Sequence, residues 1–212
     1  MSKDLTKTLV TNIYKHYDNV YGPNWGWCSL NKAGCIIDTI DEICQTIDNP
    51  VCVEIGVYGG KSVIPAALEL KRHGKGKLYG IDPWDNHEAV KGYADKDYEF
   101  WSHTDLNKHY NIFIEMIKKY ECEDYVEVIK KPSDDAPLIK DIDYLYIDGQ
   151  HTVQSFRDAD KYGSEVKLNG YCYADDLNWK GTQGLPEKLY SMGFELIHRV
   201  DYAGIFKRID IK

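Results

Sequence analysis

The sequence predicts an α/β fold: a seven-stranded, mostly parallel sheet with helices on both faces and an antiparallel hairpin at its C-terminal edge. Three observations predict it. From residue 51 onward, short apolar runs alternate with amphipathic stretches of helical period, which implies parallel strands joined by right-handed crossovers. The last two runs, FELIHRV and AGIFKRI, are separated only by Asp-Tyr, a turn so short that they must pair antiparallel. With 212 residues the chain is long enough for one well-buried α/β core, so a single domain over 1–212 is expected.

The first fifty residues form a helical extension. Leu5, Leu9, Ile13 and Tyr14 share one helical face, and Ile36, Ile40, Ile43 and Ile47 share another. Between them YGPNWGWCSLNKAG is a loop carrying Trp25 and Trp27. The core, residues 51–208, begins with the strand VCVEIG, the helix KSVIPAALELKRH and the strand KLYGID. The segment NHEAVKGYADKDYEFWSHTD is long for a connection, and such insertions often serve as lids or substrate loops. The helix LNKHYNIFIEMIKKY and the strands DYVEVIK and IDYLYID follow. A helix over VQSFRDADKYGSEV, the strand GYCYADD and a helix near LPEKLYSM lead into the hairpin.

Composition excludes several classes of function. Lys and Arg total 26 against 34 Asp and Glu, a net charge of −8, and no basic block stands out, so nucleic acid is not expected as a partner. No stretch approaches the ~20 apolar residues of a membrane span. The start MSKDLTKTLV lacks the apolar core of a signal peptide, and a cytoplasmic location is expected. The six cysteines contain no C-x-x-C pair, which favours reduced, buried thiols over zinc or disulfides.

VCVEIGVYGGKS places Gly56, Gly59 and Gly60 between a buried strand and a helix, where a ligand can approach the backbone closely. Asp82, at the end of the next strand, is placed to accept hydrogen bonds from ribose hydroxyls. The glycine spacing is not G-x-G-x-x-G, the pattern that seats a pyrophosphate. Glu54 would repel a phosphate but suits a cationic, phosphate-free ligand such as S-adenosylmethionine. The plainer alternative is that Glu54 and the glycines only build a tight turn.

The series VEIGVYGGKS, GIDPWD, IDGQHTVQSFRDAD and YADD, in this order and spacing, resembles the class I S-adenosylmethionine-dependent methyltransferases. In particular it is similar to the metal-dependent group that methylates macrolide and sugar hydroxyls. The resemblance covers residues 51 to about 208 and implies a Rossmann-like core. It implies that Glu54, Gly56, Gly60 and Ser62 line the methionine part of the cofactor, that Asp82 holds the ribose, and that Ser133 lies near the adenine. Trp84 and Asp148 are counted with the same set. The family's Pro-Gly-Gly turn before the fifth strand is replaced by LNG at 168–170, leaving Gly170 as the residue expected to take a left-handed conformation.

Asp148 ends one strand, and Asp175 and Asp176 end the next strand in sequence; if the two strands are neighbours, three carboxylates converge. Such a cluster needs a proton or a cation, and its all-oxygen character favours Mg²⁺. His151, three residues after Asp148, has an ordinary pKa of ~6.5, which suits a general base. The expected function is therefore an S-adenosylmethionine- and Mg²⁺-dependent O-methyltransferase acting on a small polyhydroxylated acceptor, a sugar or glycoside before a catechol. The sugar preference rests on the resemblance and on the Asp148/His151 pair, because catechol enzymes more often use a Lys base; Lys131 and Lys180 are the lysines that could play that part.

The plainer readings are a turn at Asp148, a helix cap at His151 and an exposed acidic pair at Asp175 and Asp176. Asp158 either anchors the His151 loop or lies on the surface. His87, His103 and His109 could touch substrate, and Trp84 and Trp179 could form an aromatic wall. The competing functions are a metal-dependent hydrolase or hydroxylase using Asp148, His151 and Asp175, and a non-catalytic S-adenosylmethionine-fold binding protein. The N-terminal helices and Trp loop could close the site or form a homo-oligomer interface.

Overall fold

Ser2 accepts a hydrogen bond from the Leu5 amide and opens helix α1 (Lys3–Tyr21), and Ser29 does the same for the Lys32 amide at the start of α2 (Leu30–Thr46). The computed structural model in which these caps are seen describes residues 2–210, so residues 1, 211 and 212 of the expected domain lie outside it. The buried stripe of α1 is Thr6, Val10, Ile13, Tyr14 and Tyr17, whereas Leu5, expected on that face, is 55% exposed.

The core then runs β1 (Val51–Ile55), α3 (Val63–His73), β2 (Lys77–Ile81), α4 (Asn86–Ala89), α5 (Asp95–His103), α6 (Leu106–Lys119) and β3 (Val126–Ile129). It continues with β4 (Ile142–Ile147), α7 (Val153–Asp158), β5 (Val166–Ala174), α8 (Leu185–Ser191), β6 (Phe194–Val200) and β7 (Ala203–Arg208). The seven strands form one sheet of order β3-β2-β1-β4-β5-β7-β6, parallel from β3 to β5 and antiparallel where β7 pairs with β5 and β6. This is the sheet the alternating pattern predicts, with the hairpin at one edge. The order reverses between β1 and β4, which opens a crevice at their carboxyl ends.

Strand parity sorts the core. Cys52, Leu78, Tyr144, Tyr146, Tyr171 and Tyr173 face a layer of α1, α2, α3 and α6. Val53, Ile55, Leu145, Ile147, Cys172 and Ala174 face the opposite layer, which includes Leu185 and Leu189 of α8. Helices thus cover both faces, and the N-terminal pair is packed into the same core as the sheet.

Three local expectations are corrected. The loop expected over 21–34 ends at Ser29, and residues 30–34 already belong to α2. The helix expected over 153–166 stops at Asp158 and passes into a π-helical turn at Ala159–Gly163, and Val166 already belongs to β5. The Arg208 guanidinium accounts for the break, donating to the carbonyls of Gly163, Ser164 and Val166 at 2.8, 3.0 and 2.9 Å. In the LNG turn the left-handed residue is Asn169 (φ 66°), not Gly170. The long insertion is partly helical, folding as α4 and α5.

Candidate active site

A cavity of about 830 Å³ lies over the carboxyl ends of β1, β2 and β4. Gly56 sits at its floor with φ 89°, and a Cβ there would fall 2.0 Å from the Asp148 carbonyl oxygen. Only glycine lets these two strand ends approach so closely. Asp82 clasps the same loop: its two carboxylate oxygens accept the Tyr58 amide at 3.0 Å and the Trp84 amide at 2.7 Å. Burial pushes the Asp82 pKa up, while these backbone donors pull it back. Each oxygen keeps a lone pair for a diol.

Glu54 is fully buried on the face covered by the N-terminal helices. Its Oε1 accepts the Ser62 hydroxyl at 2.5 Å and its Oε2 has no partner. Burial raises its pKa well above the carboxylate range, against the opposing effect of the Ser62 bond. Ser62 and Ser133 line the cavity, and Gln154 donates to Ser133, Asp134 and Asp158. Asp158 is buried rather than superficial; its Oδ2 is unpaired and burial pushes its pKa up to about 6. The unpartnered Asp158 oxygen at the cavity wall and the two Asp82 oxygens suit a ligand carrying amino groups and a diol, so the residues lining the cavity fit S-adenosylmethionine.

Three residues of the expected cofactor set stand outside the cavity lining: fully buried Glu54, Trp84 and Gly60. Trp84 is only 3% exposed and is stacked on Phe113, with its Nε1 donating to the Tyr58 carbonyl at 2.7 Å, so it braces the loop from behind. Its φ of 43° turns the side chain away from the crevice. Gly60 (φ 80°) packs against Phe113, 2.3 Å from where a Cβ would stand, and serves the turn into α3.

Beyond the glycine loop, Asp148, His151 and Asp176 converge. His151 Nε2 is 3.3 Å from Asp176 Oδ2 and 3.8 Å from Asp148 Oδ1, and it makes no well-formed hydrogen bond. Burial pushes Asp148 up to about 7, and the neighbouring Asp175 charge adds to this. For His151, burial works against the imidazolium, but the surrounding carboxylates outweigh it and raise the pKa. One donor atom from each of the three residues lies within 4.8 Å of the others, a set that fits a divalent cation.

Asp175, expected in that set, is engaged elsewhere. Following the parity of Tyr171 and Tyr173, it faces the N-terminal helices, where Lys32 Nζ meets its Oδ2 at 2.6 Å and the Tyr146 hydroxyl donates to the same oxygen. Asp176, with φ 48°, turns back toward His151.

His151 is held by residues that spacing did not reveal. Its amide donates to the Tyr93 hydroxyl at 2.8 Å, and Gln150 Nε2 donates to the Glu88 carbonyl at 2.6 Å, so the insertion is tied to the loop that carries His151. Trp179 packs edge-on to the imidazole, 4.7 Å between ring centres. Trp27 is 49% exposed at the cavity, stacked on Tyr58 and edge-on to Trp101, while Trp25 is core. Lys131 and Lys180 are exposed and stand outside the cavity wall, as do His87, His103 and His109. Lys32 is the lysine that reaches the carboxylates; its signal in the sequence is its place four residues before Ile36, on the apolar stripe of α2.

A family model described as a methyltransferase domain matches residues 53–176. Among solved structures, the O-methyltransferase NovP superposes with a TM-score of 0.70 at 16% identity, covering 86% of this chain and 81% of that one. SAH-bound PaMTH1, a methyltransferase from Podospora anserina, gives 0.63 at 13% identity over 95% and 87% of the two chains. TomG, an O-methyltransferase of tomaymycin synthesis from Streptomyces achromogenes solved with SAM, gives 0.60 at 14% over 95% and 89%. At these identities the likeness is one of fold. No curated protein matches the sequence.

Proposed function

This chain belongs to the methyltransferase domain family, with the class I S-adenosylmethionine-dependent fold, and from that premise we propose that it methylates a hydroxyl oxygen of a small polyhydroxylated acceptor, a sugar or glycoside, with help from a divalent cation. The observation that carries this reading is the convergence of Asp148, Asp176 and an unpartnered His151 Nε2 beside the cofactor crevice. Two structural neighbours, NovP and TomG, are named O-methyltransferases, and PaMTH1 and TomG are described with SAH and SAM.

Bound S-adenosylmethionine supplies an electrophilic methyl group, and a divalent cation supplies polarisation of acceptor hydroxyls. The remaining work belongs to the chain. Asp82 would hold the ribose diol, Ser133 would stand toward the adenine, and Gly56 would let the cofactor approach the backbone. Asp148 and Asp176 are the oxygen donors that a hard ion such as Mg²⁺ prefers, which leaves the imidazole free. His151 Nε2 takes the acceptor's proton, and the Tyr93 bond to its amide fixes the loop that carries it. Trp27, Trp101 and Trp179 offer flat faces for a sugar ring.

The test is methyl transfer to a panel of nucleotide sugars and glycosides in Mg²⁺, read by mass spectrometry of the product. His151→Ala is expected to lower kcat by about 10²–10⁴-fold while S-adenosylhomocysteine still binds. Full activity in His151→Ala, or methylation of nitrogen only, overturns the reading. Cofactor binding without turnover across the panel favours a binding protein.

A further inference from the structure

Lys32 brings a positive charge into the carboxylate group from outside the segment 53–176 that the family matches. The Lys32 and Asp175 side chains are 11% and 1% exposed, and both Asp175 carboxylate oxygens are engaged. Its Oδ2 takes Lys32 Nζ and the Tyr146 hydroxyl, and its Oδ1 takes the Asp176 amide at 2.7 Å. Lys32 is itself held firmly. Its amide is capped by Ser29 Oγ at 3.0 Å, its ammonium also reaches the Trp27 carbonyl at 3.3 Å, and the next helical turn is anchored by buried Ala33, Ile36 and Ile37.

We infer that Lys32 is a positioning residue that withdraws Asp175 from a bound divalent cation, so that the ion is held by Asp148 and Asp176 and keeps coordination positions open for acceptor oxygens. This rests on the cation reading above. Cation affinity rises with the number of carboxylate ligands, and Mg²⁺ at sites of catalysis is typically held by one or two carboxylates with the remaining positions left to water and substrate. An ammonium clamped on the third carboxylate keeps the site at two. The N-terminal helices, which belong to the chain's own extension, thereby set how tightly the core takes its ion.

Mn²⁺ serves as the probe, its free concentration followed by electron paramagnetic resonance in titrations of the full chain. The decisive variant is Lys32→Met/Asp175→Asn, which removes both buried charges at once and avoids stranding either. Its Mn²⁺ affinity is expected to stay within about fivefold of wild type, because no ligand is lost, whereas Asp176→Asn is expected to lose at least about tenfold. Lys32→Met alone, where thermal melting shows it folded, is expected to bind Mn²⁺ about tenfold more tightly as Asp175 is released. A double variant that loses Mn²⁺ as severely as Asp176→Asn overturns the inference while leaving the cation site standing. No Mn²⁺ binding by any of these proteins overturns the cation reading and this inference together.

Discussion

Gly56 is where one atom decides the site. The Gly56 amide donates to the Ile81 carbonyl and the Asp148 amide to the Ile55 carbonyl, both at 2.9 Å, so the ends of β1, β2 and β4 are laced together around a residue without a side chain. Gly56→Ala puts a methyl group 2.0 Å from the Asp148 carbonyl oxygen and asks an L-residue to hold φ 89°. The expected result is a lower Tm together with loss of S-adenosylhomocysteine binding in calorimetry; unchanged binding would contradict the close approach. Gly56, Asp82 and Asp148 were legible in the sequence because each stands where an apolar run gives way to polar residues. Lys32 was not, because 143 residues separate it from Asp175 and no local pattern links them. Trp84 was misplaced because adjacency to Asp82 says nothing of a left-handed φ that turns the ring into the core.

Helix α2 carries Lys32 into the site, and its start is secured by Ser29, whose hydroxyl caps the Lys32 amide and donates to Asp201 Oδ2 at 2.5 Å in the β6–β7 turn. Ser29→Ala is expected to cost about 1 kcal/mol in urea unfolding, the usual worth of an N-cap; a change near zero would mean that the cap is idle. Elements with a strong period, such as α3, α6 and the strands, were legible because their apolar residues repeat at the spacing that packing demands. The end of α7 was not. Helical period continues through 153–166, but Arg208, far away in β7, offers its guanidinium to carbonyls freed by the π-helical turn. Lys161, within that turn, donates to the carbonyls of Ser133, Asp134 and Ala136 in the loop between β3 and β4. Both are tertiary contacts that local pattern does not encode.

Across the whole molecule, the sheet gathers acidic groups at its carboxyl edge, in a chain already at −8. Asp148 is held near 7, above the ordinary carboxylate value, so its contribution to stability is intact at acid pH and is lost as pH rises through about 7. His151 is raised as well, so the favourable imidazolium contact is also lost on the alkaline side. Above that range the site holds unneutralised carboxylates, which is where a divalent cation adds most. Mg²⁺ held at one concentration, about ten times its Kd at pH 8, is expected to raise Tm by about 3–5 °C at pH 8 and by much less at pH 5.5; equal shifts at both pH values would contradict the placement of the ion on Asp148. Among the described residues no helix is long and apolar enough to cross a membrane. The helices are packed on the two sheet faces. The central claim is that the crevice at the β1/β4 switch takes an adenosyl cofactor whose ribose is clasped by Asp82. The measurement that meets it most directly is calorimetric titration of S-adenosylhomocysteine into wild type and Asp82→Ala. Micromolar binding by wild type, weakened about 100-fold or more in the variant through loss of two charge-assisted hydrogen bonds, is the expected result. Absence of binding by the wild type, or equal affinity in the two proteins, would contradict it.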